Sequence, residues 1–307
     1  MAKTAILFPG QGAQRVGMAR DIAETFRAAA DVFEQADQQL GMALSELCFN
    51  GPADRLNATD ISQPAIFVTS VAIWEALKAA GTADSLSPAG AAGLSLGEYT
   101  ALWLGSSFGF AEGLRLVRRR GELMQAASEA APSGMVSIMG LDEQQVEALC
   151  KEAAGEDVLV PANFNCPGQI VVSGSKQACE RVVGGVAGQG GRAVALAVAG
   201  AFHSPLMQSA ADGLGEALAE AQIEVPRMRV CRNVDGEYHD QPDSVRQSLY
   251  RQVIQPVRWQ RCMERMIADG YDHFVEIGPG RVLTGLMKKI NRKAKITNIS
   301  SVKDVAN

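Results

Sequence analysis

Short runs of consecutive apolar residues that end in glycine or proline alternate along the chain with longer stretches whose apolar residues recur every three or four positions. The first run, Lys3 to Phe8, stops at Pro9-Gly10-Gln11-Gly12. It predicts a strand and a tight turn, followed by an Ala-rich helix from about Val16 to Ala30. A second helical stretch, Gln63 to Ala80, precedes Pro88-Ala-Gly-Ala-Ala-Gly93-Leu-Ser-Leu-Gly97-Glu-Tyr99, where small residues predict a buried strand that breaks sharply into another helix. Two such units predict a parallel sheet with helices on its faces.

From Gly134 to Leu196 the pattern changes. Met135–Met139, Val158–Asn163, Gln169–Ser173 and Arg192–Leu196 read as strands, and Asp142–Ala153 and Lys176–Ala187 as helices. The order βαββαβ in about sixty residues predicts a ferredoxin-like split unit inserted into the larger one. After His203 helical periodicity returns, with a strand at His273–Ile277, the turn Gly278-Pro279-Gly280 and a closing helix over Val282–Ile290. The expected architecture is an α/β fold: a parallel-sheet core, α/β-hydrolase-like, over residues 1–130 and 200–307, and the small subdomain over 131–199.

Composition narrows the functional classes. The 307 residues are 47% apolar and 21% charged, enough to bury a sizeable core. A net charge of −5 lacks the basic excess that nucleic acid binding exploits. The longest apolar run, Ala193 to Phe202, is too short to span a bilayer. No basic segment with a cleavage site opens the chain, and the 6 cysteines form no C-x-x-C, so reduced thiols and a cytoplasmic location are expected.

Gly93-x-Ser95-x-Gly97 at a strand-to-helix break has the form of a nucleophile elbow. A serine needs a base, and the chain offers 3 histidines. His239, in the polar loop Asp235 to Pro242, reads as a solvated surface imidazole. His273 enters a strand and reads as a half-buried structural residue. His203 lies at the junction of the two units, where clefts form, and is the expected base.

Arg118-Arg119-Arg120 looks like a solvated charge run, but helical spacing separates its members. At about 100° per residue, Arg115, Arg118, Arg119 and Glu122 share one face, whereas Arg120 falls among Leu116, Val117, Leu123 and Met124. Arg120 is therefore expected to point inward, where it pairs with a protein carboxylate or receives an anionic ligand. The Pro9–Gln14 turn offers main-chain N–H groups for an oxyanion hole, and Arg15 spoils a dinucleotide fingerprint. The basic run Lys288 to Lys295 reads as a solvated helix end.

Phe8-Pro-Gly-Gln-Gly-Ala-Gln14, Gly93-Leu-Ser-Leu-Gly-Glu98, Arg120-Gly-Glu-Leu-Met-Gln125, Asn163-Phe-Asn-Cys-Pro-Gly-Gln169, Gly200-Ala-Phe-His-Ser-Pro205, Gln252-Val-Ile-Gln-Pro-Val-Arg-Trp259 and Glu276-Ile-Gly-Pro-Gly280 follow one another in order. This series resembles the malonyl-CoA:acyl carrier protein transacylases. The resemblance implies that Ser95 is acylated by malonyl-CoA and passes malonyl to the phosphopantetheine thiol of acyl carrier protein, a ping-pong exchange serving fatty-acid or polyketide synthesis. It gives His203 the base role, places the N–H groups of Gln11 and Leu96 in the oxyanion hole and lets Arg120 bind the malonyl carboxylate. It further implies that a backbone carbonyl, here at Gln252, orients the histidine, and that Asn165 lines the cleft.

Malonyl-CoA is a substrate in this scheme; no cofactor, metal, nucleic acid or membrane is expected, and a monomer fits the family. Two positions depart from the pattern: Leu94 stands where many bacterial members carry histidine, and Gly200-Ala-Phe-His203 looks closer to malonyl-selecting polyketide acyltransferase domains. The rival readings are a serine hydrolase with Asp142 or Asp157 as the acid between Ser95 and His203, and a non-catalytic carrier-protein-binding module.

Overall fold

A computed structural model describes residues 3–306. Strands β1 (Thr4–Phe8), β2 (Pro88–Gly93), β7 (Arg229–Val230), β8 (His273–Ile277) and β9 (Lys295–Ile299) form one sheet in the order β7-β2-β1-β8-β9, with parallel pairing throughout. Strands β3 (Ser133–Met139), β4 (Leu159–Cys166), β5 (Gln169–Ser175) and β6 (Arg192–Ala195) form a second sheet. Period-two alternation divides β1 between two cores. Ile6 and Phe8 join the helices Arg27–Leu40, Thr59–Ala79 and Phe110–Ala130 on one face. Ala5 and Leu7 join Trp259, Met263 and Leu283 on the other. Burial on both faces explains why the strand is an unbroken apolar run.

The second sheet is antiparallel, in the order β4-β5-β3-β6. Helices Glu143–Ala154 and Lys176–Val186 pack on it around Val136, Ile138, Val146, Leu149, Val172 and Val182. The elements run strand, helix, strand, strand, helix, strand, as the sequence pattern anticipates. Asp142 starts the first of these helices with a capping box, accepting from the Gln145 N–H at 2.9 Å. Ser175 caps the second. Where the small sheet meets the rest, the Phe164 N–H donates to the Val257 carbonyl at 2.9 Å and the Val257 N–H to the Ala162 carbonyl at 2.8 Å.

Two local expectations need correction. The helix expected over Val16–Ala30 is two helices, Arg20–Thr25 and Arg27–Leu40, because Phe26 is extended at φ −113°, ψ 112°. Its carbonyl then accepts the first bonds of the second helix, from Ala29 and Ala30. That helix buries Ala29, Val32, Phe33, Ala36 and Leu40 before stopping at left-handed Gly41. The basic run, read as a helix end, is one only through Ile290; Lys295–Ile299 is a strand laid parallel to β8.

Glu276, buried in β8, caps the helix Val282–Ile290. Its carboxylate accepts from the Leu283 N–H at 2.9 Å, the Thr284 N–H at 2.9 Å and the Thr284 hydroxyl at 2.6 Å. Burial pushes this carboxyl up, with those hydrogen bonds opposing it. All 6 cysteines are buried free thiols, and among the described residues no helix is long and apolar enough to cross a membrane.

Candidate active site

Ser95 sits where β2 passes into the helix Gly97–Leu104, at the carboxyl end of the parallel sheet. The Leu94 N–H donates to the Phe8 carbonyl at 3.0 Å, binding the start of the turn to β1. Ser95 then takes φ 52°, in the left-handed region, and is half-buried. Glycine flanks it for steric reasons. A Cβ on Gly93 would collide with the Gly97 backbone, and one on Gly97 with the Phe8 carbonyl.

His203 reaches this hydroxyl from the segment that follows β6. It is 4% exposed and also left-handed, at φ 59°. Its Nε2 lies 2.8 Å from Ser95 Oγ and its Nδ1 lies 2.6 Å from the Gln252 carbonyl oxygen. A carbonyl only accepts, so Nδ1 carries the proton and Nε2 is left to accept from the serine hydroxyl. Burial, reinforced by the positive charge of Arg120 and opposed by the bond to Gln252, pushes the imidazole pKa down to about 3.

Arg120 points inward from the helix Phe110–Ala130, as its spacing predicts, and is 1% exposed. Arg115, Arg118 and Arg119 pair on the outer face with Glu112 and Glu122. The Arg120 guanidinium donates to Gln63 Oε1 at 2.7 Å, to Ser95 Oγ at 3.0 Å and to Gln252 Oε1 at 3.0 Å. All three partners are neutral, and Nε has none among the described residues. The carboxylate that acts on this charge is Glu98, which is itself held by Gln252 Nε2, the Asn233 N–H and His239 Nε2. Burial lowers the Arg120 pKa.

Thus Ser95, His203, Arg120 and Gln252 meet in one hydrogen-bonded group. Gln11 and Leu96 follow the carboxyl ends of the adjacent strands β1 and β2, and the Gln11 amide donates to Thr59 Oγ1 at 3.2 Å. Asn165, in β4, is 9% exposed and its Oδ1 has no partner among the described residues. No hydrogen bond described joins it to the serine group. Asp142 and Asp157 stay in the small sheet's unit, one capping a helix and the other 2.6 Å from Arg181, so the acid position behind His203 belongs to a carbonyl.

His239 is not a surface imidazole. It is 5% exposed, and its Nε2 lies 2.8 Å from Glu98 Oε1. The polar residues around it in sequence suggested solvent, but the partner that buries it is 141 positions away. His273 is half-buried against Thr297 Oγ1, as expected. Sequence reasoning passed over Gln63, Glu98 and Asn233. Gln63 and Glu98 are buried polar residues in helices that are mostly buried and largely apolar around them, a usable signal. Asn233 carries none.

A hydroxyl presented at a strand-to-helix elbow, bonded to a neutral histidine and flanked by a buried cation, is the arrangement of an α/β acyl-transfer enzyme. A family model described as "Acyl transferase domain" matches residues 6–305. Malonyl CoA-acyl carrier protein transacylase of Escherichia coli (strain K12) is 41% identical over 291 residues, covering 94% of this chain and 93% of that one. That of Bacillus subtilis (strain 168) is 39% identical over 303 residues, with 98% and 94% covered. An acyl carrier protein S-malonyltransferase from Vibrio cholerae superposes with a TM-score of 0.94 at 40% identity, covering 99% of each chain. A malonyl-transacylase solved in complex with a type II PKS acyl-carrier protein gives 0.95 at 38%, with 99% of this chain and 98% of that one covered. The chain belongs to the acyl transferase domain family and, within it, to the malonyl-CoA:acyl carrier protein transacylases.

Proposed function

We propose that this enzyme moves malonyl from malonyl-CoA to the phosphopantetheine thiol of acyl carrier protein through a Ser95 ester. Ser95 Oγ attacks the thioester carbonyl as its proton passes to His203 Nε2, and the imidazolium that forms is held by the Gln252 carbonyl. The N–H groups of Gln11 and Leu96 receive the tetrahedral oxyanion. Collapse expels the CoA sulfur, which leaves as the thiol with the proton from His203. The carrier's thiol then gives its proton to His203, attacks the ester and returns Ser95. One thioester is exchanged for another, so the chemistry needs no cofactor.

The observation that carries this reading is Arg120, a guanidinium 1% exposed whose hydrogen-bond partners are all neutral, beside the reactive hydroxyl. Glu98 acts on this charge from behind Gln252 and makes no hydrogen bond to it; a free carboxylate on the acyl group supplies a direct, bidentate partner. A simple ester hydrolase has no use for it.

We further read the parallel sheet as an α/β-hydrolase-like core over 1–130 and 200–307, and residues 131–199 as a ferredoxin-like insertion, with Asn165 on the cleft side of β4. The expected setting is a cytoplasmic monomer in fatty-acid synthesis. Polyketide assembly is a second reading, favoured by the relative solved with a type II PKS carrier and by Gly200-Ala-Phe-His203. Intact-mass analysis after mixing with malonyl-CoA tests the central claim: one malonyl adduct, absent in Ser95→Ala, supports it, and an unmodified parent chain refutes it. Transfer rates to fatty-acid and polyketide carrier proteins separate the two pathways.

A further inference from the structure

Ser95 holds a left-handed backbone that a residue with a side chain keeps only where its surroundings leave no alternative. Its N–H donates to Asn233 Oδ1 at 2.6 Å, and its carbonyl accepts from Gln252 Nε2 at 3.0 Å. Asn233 Nδ2 donates to the Gly93 carbonyl at 2.8 Å, so one amide spans the chain on both sides of Leu94. Only one orientation of that amide satisfies both bonds, oxygen toward Ser95 and nitrogen toward Gly93.

Asn233 is anchored in turn. Its own N–H donates to Glu98 Oε2 at 3.1 Å, which also accepts from Gln252 Nε2 at 2.7 Å, while Glu98 Oε1 faces His239 Nε2 at 2.8 Å. Asn233, Glu98 and Gln252 are 0% exposed. A carboxylate buried this deeply does not leave its donors, since parting from them strands a charge in the interior.

We propose that Asn233, backed by the buried Glu98–His239 pair, is a positioning residue that fixes the main chain of Ser95 and thereby aims its hydroxyl at His203. It rests on the Ser95 mechanism above. Asn233 touches no reacting atom. Relaxation of the Ser95 backbone would swing Oγ away from His203 Nε2 and Arg120 Nη2 together, and the clamp prevents it. The clamp also occupies the Ser95 N–H, which leaves the oxyanion to the N–H groups of Gln11 and of Leu96, the residue after the nucleophile.

The test compares parent, Asn233→Ala and Glu98→Gln. It measures kcat and KM for malonyl-CoA and acetyl-CoA, normalises them to the fraction of chains that take up malonyl by intact mass, and records melting temperature. Asn233→Ala is expected to lose about 10- to 100-fold in kcat per acylable site, as a misaimed nucleophile does. KM should stay within about threefold, and malonyl and acetyl should fall in equal proportion. Glu98→Gln preserves volume and exchanges an anionic acceptor for a neutral one. It is expected to fold and to lose about three- to tenfold in kcat at unchanged KM. If Asn233→Ala does not fold, Glu98→Gln decides alone. Parent-like kcat per site with only a lowered melting temperature would overturn the clamp, as would a changed malonyl-to-acetyl ratio in Asn233→Ala. A parent chain that takes up no malonyl would overturn the Ser95 mechanism, and the clamp with it.

Discussion

Arg120 Nη2 lies 3.0 Å from Ser95 Oγ, so the cation proposed to receive the acyl group's carboxylate also touches the hydroxyl proposed to attack its carbonyl. Anchoring and chemistry are adjacent, and substitution can separate them.

Arg120→Ala should change substrate preference. Loss of a buried, charge-assisted pair with the malonyl carboxylate should remove about 1.5–3 kcal/mol, roughly 10- to 150-fold in kcat/KM for malonyl-CoA. Acetyl-CoA has no carboxylate to lose, and removing the cation relieves part of the pressure on the His203 pKa, so acetyl transfer should hold or rise. Rates with both acyl-CoAs and a melting curve check this; parallel loss of both activities would remove Arg120 from the anchoring role.

His203→Ala should cost on the order of 10²–10⁴-fold in transfer rate. In the parent enzyme His203 stays neutral down to about pH 3, so the acylation rate should show no His203 titration near its ordinary value of 6.5. Stability should respond with a definite sign. Between 6.5 and about 3 the unfolded chain binds a proton at this position that the folded chain refuses, so stability falls as the pH is lowered through that window. For one group the slope approaches about 1.4 kcal/mol per pH unit. Urea unfolding at pH 7 and pH 4.5 should show a smaller acid loss in His203→Gln than in the parent, and equal losses would count against it.

Ser95→Ala and Ser95→Gly should both be inactive yet differ in stability. Alanine keeps the Cβ that a left-handed backbone resists, at about 1–2 kcal/mol, whereas glycine sheds it but adds about 0.5–1 kcal/mol of unfolded-state entropy. The glycine variant should therefore be the more stable by about 0.5–1 kcal/mol in chemical denaturation. Equal stabilities would place the strain elsewhere.

Glu276→Ala should destabilise the fold by about 2–4 kcal/mol, because it orphans the Leu283 and Thr284 N–H groups at a buried helix start. Glu276→Gln, which keeps one acceptor oxygen, should lose less. Denaturant midpoints compare them directly.

Much of this molecule was legible in its sequence because local signals were strong. Pro9-Gly10 and Gly93-x-Ser95-x-Gly97 ended buried strands, and the small unit announced itself through the order of short strand-like runs and helical stretches from Gly134 to Leu196. Arg120 was legible because its angular position contradicted its charge. What escaped were features made by distant partners. β7 has 2 residues, too few to show a period. β9 begins in a basic run that resembles a helix end, and its register comes from β8. Asn233 and His239 find their functions 138 and 141 positions away, where no local pattern reaches.

The small antiparallel sheet separates Arg120 from His203 along the chain, yet its departure and return lie side by side. The Ala201 N–H donates to Ser133 Oγ at 3.2 Å, and the Leu196 N–H to the Met135 carbonyl at 2.9 Å. The excursion's seam to the larger unit joins the main-chain hydrogen bonds at Val257 to buried side chains: Met135, Ala162 and Val171 pack into one core and Cys166 into the other. The excursion is therefore welded to the frame that carries the serine, the histidine and the arginine, and a change of volume at Met135, Ala162, Val171 or Cys166 is felt on both sides of the seam.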